Sequence, residues 1–164
     1  MNHLATSKED ILAASRDLIK ENGWAAVSIR AVASRCSVSA GTIYNYYESK
    51  ADLLSDTIES IWHEIFFHPE DEQVFHDVES CISWIYERLE YGNRQFPGFF
   101  SLHSFGFMRD EKTSGKKRMM KTWGHILNGL CEVLENDPKV RADVFDQEFT
   151  EKKFADILFS LILV

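Results

Sequence analysis

The 164-residue sequence has few residues of the kinds that mark secreted, membrane-bound or metal-binding proteins. Its three cysteines lie far apart and form no Cys-x-x-Cys pair, which argues against a disulfide framework or a zinc site and favours a reducing compartment. No apolar run reaches the roughly 18 residues of a membrane span. The first residues also lack the basic and apolar pattern of a signal peptide. We therefore expect a cytoplasmic protein.

Positive charge is scarce as well. The formal net charge is -8, and it is unevenly distributed: residues 1–50 carry +1 and residues 51–164 carry -9. Nonspecific coating of nucleic acid requires many phosphate neutralisations, so this charge balance argues against it. A single near-neutral face within residues 1–50 remains compatible with local binding to DNA, provided that the acidic remainder points away.

Patterns typical of enzymes are absent from the sequence. The six histidines form no His-Glu-x-x-His or other metal-ligand spacing, and neither Gly-x-Ser-x-Gly nor a phosphate-binding P-loop occurs. The many carboxylates do not stand out from solvated helix faces. We predict a protein that is not an enzyme and uses neither a metal nor a cofactor.

The hydrophobic periodicity predicts an all-α fold. An N-terminal unit of three short helices at 7–22, 28–36 and 39–46 has helix-turn-helix spacing, with capping serines at Ser7, Ser28 and Ser39. We expect further helices from Ser49 to before His68, over 72–92 and 116–135, and from about residue 150, with a polar loop over 110–115. This divides the chain into a helix-turn-helix domain at 1–50 and a helical-bundle domain at 51–164.

The stretch VSAGTIYNYYESK, residues 38–50, contains the chemistry for docking on DNA. Ile43 and Tyr47 are four residues apart and are expected to point inward, whereas Ala40, Gly41, Tyr44 and Asn45 face outward. Gly41 lets the backbone approach DNA closely, and hydroxyl and backbone N–H groups can contact phosphates without bulk charge. Asn45 suits an adenine edge and Ala40 a thymine methyl. The simpler alternative, that the tyrosines only fill a small core, is favoured for Tyr47.

Residues 6–54 resemble the DNA-binding domain of TetR-type transcriptional regulators, through the first amphipathic helix, the glycine turn, Ser28-Ile-Arg30, Ala33 and VSAGTIYNYYESK. The resemblance implies a homodimeric bacterial repressor, associated with the nucleoid when bound, that a small effector releases from a palindromic operator. It places Tyr47 where the family usually has phenylalanine and Ala40 where many members have lysine. The residues that it assigns to the DNA contact are Ser28, Arg30, Ser39, Ala40, Gly41, Thr42, Tyr44, Asn45, Tyr46 and Lys50.

The second half is dense in aromatic residues, each of which serves either as helix-bundle core, the more common case, or as the lining of an apolar pocket. Its densest run is FPGFFSLHSFGFM at 96–108. We expect a pocket for a small hydrophobic effector there, with His103 or His125 as polar contacts. The candidate pocket residues are Trp62, Phe66, Trp84, Phe99, Phe100, His103, Phe107 and Trp123.

Three features leave alternatives. The basic run at 112–121 is either a second nucleic-acid patch or, more commonly, a solvated loop and helix start. The apolar end, residues 158–164, suggests a dimerisation helix cut partway or a truncated chain. A helix-turn-helix protein that binds a protein partner instead of DNA is the alternative function.

Overall fold

The computed structural model describes residues 6–67, 77–100 and 114–162, and within the last range the side chains of 124–161. Over these residues the chain is all-α, which confirms the predicted fold class. The structure contains a short 3₁₀ helix at Trp24–Ala26 and the α-helices α1 (Lys8–Asn22), α2 (Ile29–Arg35), α3 (Ala40–Tyr44), α4 (Lys50–Phe66), α5 (Val78–Gln95), α6 (Ser114–Asn136) and α7 (Glu151–Ile162).

Serine side chains start all four N-terminal helices. At α1, Ser7 Oγ accepts from the backbone N–H of Asp10, and the Asp10 carboxylate accepts from the backbone N–H of Ser7. The Ser7 hydroxyl also donates to the Asp10 carboxylate, and this hydrogen bond, followed by the one from the Ser7 backbone N–H, lowers the pKa of the Asp10 carboxyl. Ser28, Ser39 and Ser49 each accept in the same way from the N–H three residues on. The predicted caps are confirmed, and each satisfies a backbone donor that the helix itself leaves unpaired.

The turn between α2 and α3 depends on one residue in a left-handed conformation. Ser37 has a φ of 56°, the one described non-glycine residue with a positive φ. The N–H of Ser37 donates to Ser34, and the N–H of Val38 donates back to Ala33, at 2.9 Å for the latter. This geometry ends α2 sharply and sets the angle at which α3 leaves it.

Replacing Ser37 with glycine is expected to stabilise the protein. A left-handed L-residue costs about 1–2 kcal/mol and the added chain entropy of glycine about 0.5–1 kcal/mol, so the free energy of unfolding should rise by roughly 0.5–1 kcal/mol. Urea unfolding followed by circular dichroism measures this change. Ser34→Gly, three residues earlier inside α2, is the control and should lower stability, since glycine is a poor helix former. A destabilised Ser37→Gly variant would contradict the strain at this turn.

A first hydrophobic core joins the three-helix unit to the second half of the chain. Ile11 and Ile19 of α1, Val32 of α2 and Ile43 of α3 are fully buried in one cluster with Leu53 of α4. The same cluster continues along α4 and reaches Phe96 and Phe99, just after α5. Helix α4 therefore packs against the three-helix unit at one end and against the residues after α5 at the other.

A second core holds the C-terminal helices together. Cys81 and Ile85 of α5 pack with Leu130 and Leu134 of α6 and with Ala155 of α7. Trp84 packs against both cores.

Helix α5 begins and ends later than predicted. Asp77 is extended, with φ -149° and ψ 160°, and caps the helix by accepting from the N–H of Ser80, so α5 starts at Val78 rather than near residue 72. Asp137, distant in sequence, also accepts from the N–H of Val78 at 2.9 Å. Gly92 does not end the helix, which continues to Gln95. The glycine instead allows α5 to pack closely on α4, since an added Cβ would lie 2.6 Å from Ile65 Cδ1.

Residues 114–115, predicted as part of a polar loop, are helical within α6, so the prediction is wrong there, and residues 110–113 lie outside the described ranges. The helix continues to Asn136, one residue beyond the predicted end. Helix α7, at Glu151–Ile162, agrees with the predicted start near residue 150.

Candidate functional site

Most basic side chains of the three-helix unit are already paired with carboxylates. Four of the six in residues 1–50 form such ion pairs: Lys8–Asp56 at 2.6 Å, Arg16–Glu64 at 3.1 Å, Lys20–Glu64 at 2.7 Å, and Arg35–Glu21. The pKa of the Glu21 carboxyl is lowered, chiefly by its hydrogen bond from Arg35. Because a carboxylate neutralises each of them, these four cations contribute little net charge to an outside anion.

The two remaining cations are Arg30 and Lys50, both exposed and without an ion pair to any described residue. Arg30 lies in the first turn of α2, two residues after its cap Ser28, and Lys50 is the first residue of α4. The helices on either side of α3 in the chain thus each carry, in their first turn, a cation that forms no ion pair within the described part of the chain. Both residues belong to the set that the sequence predicts for DNA contact.

Helix α3 presents an exposed face between these two cations in the chain. Gly41 and Asn45 are exposed, and the Tyr44 side chain is 55% exposed. An alanine Cβ at Gly41 would meet only Ser39 Oγ, at 3.6 Å, so the outer side of this backbone is open space. Ser39 Oγ and Thr42 Oγ1 lie 3.0 Å apart in one hydroxyl pair. The face combines open backbone, hydroxyls and one amide, as the sequence predicted.

Opposite this face, α3 packs on the core. Ile43 is fully buried and Tyr47 is 4% exposed, which confirms the inward orientation of both. Ala40, expected to face the groove, is half-buried and packs against the first core, so only part of its methyl group is accessible. Base contact by Ala40 is correspondingly limited.

Tyr46 has a role in the fold that the sequence did not indicate. Its side chain is 44% exposed, and its hydroxyl donates to the backbone carbonyl of Thr6 at 2.6 Å. A phosphate oxygen needs a donor, so it would have to replace Thr6 as the acceptor of this proton. This hydrogen bond connects the residue before the α1 cap to the segment that follows α3.

The predicted pocket aromatics separate into two groups. Trp62, Phe99 and Phe100 pack on one another, with ring centroids 5.1–5.7 Å apart, and Phe99 is 1% exposed. Phe99 also stacks on Trp24 of the 3₁₀ helix, at 5.8 Å. These rings form a core that connects the three-helix unit to the second half, and they line no part of the cavity between α4, α5 and α6.

Phe66 and Trp84 do line that cavity, whose volume is about 210 Å³. His125, one of the two predicted polar contacts, lines it as well. His103 and Phe107 lie outside the described residues, as does the side chain of Trp123. The described residues that line the cavity are Phe66, Phe67, Cys81, Trp84, Ile85, His125, Ile126, Gly129 and Leu130.

Sequence reasoning missed most of this lining. Cys81 and Ile85, and likewise Ile126 and Leu130, are four residues apart, a spacing that places each pair on one helix face. The sequence contains this spacing, but a selection of pocket residues by aromatic character alone leaves these four residues out.

The cavity is apolar. Burial raises the pKa of the Cys81 thiol to about 11, so this group is neutral at physiological pH. His125 is exposed and packs its ring edge-on against Phe67, with centroids 6.3 Å apart. The cavity suits an apolar ligand with at most a polar contact near His125.

Metal binding and membrane insertion find no support in the described residues. Over them, no cluster of three or more histidine, cysteine or carboxylate side chains has a geometry for a metal ion. None of the described helices combines the length and the apolar character that crossing a bilayer requires.

Solved structures with a similar fold include two bacterial regulators. The transcriptional regulator FadR from Bacillus subtilis, solved in complex with stearoyl-CoA, superposes with a TM-score of 0.63 over 95% of this chain and 83% of its own. A putative fatty acid metabolism regulator from Clostridium perfringens superposes with a TM-score of 0.51 over 94% and 82%. Both are 19% identical in sequence, so they establish the fold alone.

Sequence comparison is informative over the N-terminal unit. The chain is 38% identical over 48 residues to the HTH-type transcriptional regulator UidR of Escherichia coli (strain K12), a match that covers 29% of this chain and 24% of UidR. It is 45% identical over 47 residues to the HTH-type transcriptional repressor KstR of Rhodococcus jostii, covering 29% and 22%. The matched segment spans about a quarter of the length of these relatives. The family model of the bacterial regulatory proteins of the tetR family matches residues 11–57 of this chain.

Proposed function

We propose that the protein is a sequence-specific, DNA-binding transcriptional regulator, acting in the cytoplasm as a homodimeric repressor on a palindromic operator. One observation carries the proposal: Arg30 and Lys50, the cations of the three-helix unit without an ion pair to a described residue, begin the helices that flank the exposed face of α3. In a helix-turn-helix protein that face enters the major groove while the neighbouring elements contact phosphates. The family match over residues 11–57 supports the same assignment.

The distribution of charge explains how an acidic protein can bind DNA in this way. Residues 1–50 are near neutral, and their paired cations leave Arg30 and Lys50 to meet phosphates. Hydroxyls and the backbone of α3 supply the remaining contacts. We propose that Tyr44 and Asn45, the exposed side chains of the helix, read the bases.

A small hydrophobic effector is the second part of the proposal. The cavity between α4, α5 and α6 is apolar and, at about 210 Å³, accepts a short apolar group or one end of a longer chain. Drug-sized ligands occupy pockets of about 300 Å³ or more. The stearoyl-CoA bound by Bacillus subtilis FadR makes fatty acyl compounds the first class to test. Release would follow if the effector binds better to a conformation that fits the operator poorly.

Selection of DNA from a random library with the full chain tests the function directly. A regulator of this kind should enrich one palindromic sequence, and footprinting should show protection of both half-sites. A helix-turn-helix protein that binds only a protein partner would enrich no sequence. Thermal shift with free fatty acids and acyl-CoAs of increasing length then tests the effector class, and a lack of stabilisation by all of them would refute it.

Lys50→Ala should weaken binding to the selected site and to unrelated DNA by a similar factor. Losing one phosphate contact should also reduce the slope of log affinity against log salt by about 1. Lys152→Ala, which removes an exposed lysine of α7, is the matched control and should change neither quantity. An unchanged slope for Lys50→Ala would show that Lys50 does not contact phosphate.

A further inference from the structure

One carboxylate joins three helices of the molecule. Glu64, on α4, forms an ion pair with Arg16 Nε of α1 at 3.1 Å and accepts a hydrogen bond from Lys20 Nζ of α1 at 2.7 Å. The Tyr91 hydroxyl of α5 donates to the same carboxylate at 3.2 Å. The Glu64 side chain is 23% exposed and that of Arg16 15%, so this ion pair is screened less by solvent than an exposed surface pair.

Helix α4, which carries Glu64, also contributes to the wall of the cavity. Phe66 and Phe67, two and three residues further along the chain, line the cavity, as do Cys81, Trp84 and Ile85 of α5. A ligand that enters between the two helices therefore acts on the helix pair that Glu64 and Tyr91 join.

The close packing beside the Tyr91–Glu64 hydrogen bond restricts how far α5 can slide against α4. At Gly92, next to Tyr91, an added Cβ would lie 2.6 Å from Ile65 Cδ1 and 2.9 Å from the Phe100 ring. Helices α4 and α5 thus touch closely at the point where Tyr91 meets Glu64. A shift of α5 must either carry Glu64 along or break the hydrogen bond.

We propose that Glu64 is the residue through which the occupancy of the cavity reaches the DNA-binding unit: its carboxylate holds α1, by Arg16 and Lys20, in the position that α4 and α5 set. This inference rests on the proposed function. When α5 moves, Glu64 changes its distance to α1, and the tilt of the three-helix unit changes with it. Without the carboxylate, occupancy of the cavity no longer changes the affinity for DNA.

The test uses a variant in place of the unidentified effector. Gly129 of α6 lines the cavity, and an added Cβ there meets nothing within 4 Å, so Gly129→Leu places an apolar side chain in the space without a backbone clash. Gly124→Leu is the matched control. It lies on the same helix with the same free space and is absent from the cavity lining.

Affinity for the selected DNA is then measured for Gly129→Leu in three backgrounds. In the wild-type background the dissociation constant should rise about 10-fold, within the range of coupling between sites in proteins. With Glu64→Gln the same substitution should change affinity by less than about twofold. With Glu9→Gln the full effect should remain, because Glu9 is an exposed partner of Arg16 within α1 and forms no ion pair with α4.

The outcomes separate the two proposals. A 10-fold effect of Gly129→Leu that persists with Glu64→Gln would overturn the role of Glu64 and leave the effector cavity in place. If the protein binds the selected DNA but Gly129→Leu changes the affinity in none of the three backgrounds, both the cavity as effector site and the role of Glu64 are overturned.

Tyr91→Phe provides a second variant should Glu64→Gln fold poorly. It removes one hydrogen bond to Glu64 and leaves both ion pairs to α1, so thermal melting should confirm a folded protein. The effect of Gly129→Leu on DNA affinity should fall to about threefold in this background. A full 10-fold effect would show that α5 does not act through Glu64.

Discussion

Replacing Gly41 with alanine is expected to abolish most DNA binding while leaving the fold intact. In the free protein the new Cβ would meet only Ser39 Oγ, at the ordinary contact distance of 3.6 Å. Alanine also favours a helix over glycine, so the free energy of unfolding should rise by about 0.5–1 kcal/mol. On DNA, however, the methyl group would hold the backbone of α3 away from its partner. We expect affinity for the selected site to fall by about 2 kcal/mol, roughly 30-fold, comparable to a mismatched base pair.

Gly124→Ala is the control for this prediction. Its Cβ would meet nothing within 4 Å, and a similar gain in helix stability should appear on α6 without any change in DNA affinity. If Gly41→Ala bound DNA as tightly as the wild type, the backbone at Gly41 would not approach the duplex, and the DNA-binding face would have to lie elsewhere.

The second large effect concerns Phe99, which the structure places at the junction of the two halves. Its ring is 1% exposed and contacts Trp24, Trp62 and Phe100 at centroid distances of 5.1–5.8 Å. Truncation to alanine removes a fully buried ring from a packed core. We expect Phe99→Ala to lower the free energy of unfolding by about 3–5 kcal/mol in urea unfolding experiments.

Phe67→Ala provides the comparison, since Phe67 is 36% exposed and lines the cavity. It should cost clearly less stability than Phe99→Ala and should alter the binding of apolar compounds instead. The opposite ranking, with Phe99→Ala near wild-type stability, would contradict the role of Phe99 in the core.

The N-terminal unit could be predicted well because its determinants are local. Each of its helices starts with a serine whose side chain caps it, and the inward residues Ile43 and Tyr47 follow helical spacing. Short-range patterns of this kind are visible in one sequence without any knowledge of tertiary contacts.

The second half could be predicted less well because its determinants are distant in sequence. Asp137 supports the start of α5 across 59 residues, and Gly92 is required by a helix crossing rather than by a helix end. The hydrogen bond from Tyr46 to Thr6, which the sequence also did not indicate, joins residues 40 positions apart. Likewise, whether an aromatic residue is core, as Phe99 is, or lines the cavity, as Phe66 does, depends on which helices meet.

The central claim is that Arg30 and Lys50, together with an exposed and largely uncharged α3 face, are sufficient for binding to DNA. The salt dependence of DNA binding tests this claim most directly. The affinity of the full chain for its selected palindrome and for a scrambled sequence is measured over a series of salt concentrations. We predict a clear preference for the palindrome and a shallow slope, about -2 in log affinity against log salt for each bound chain. A steep slope of about -6 or more, equal for both sequences, would contradict the account, because binding would then depend on many phosphate neutralisations.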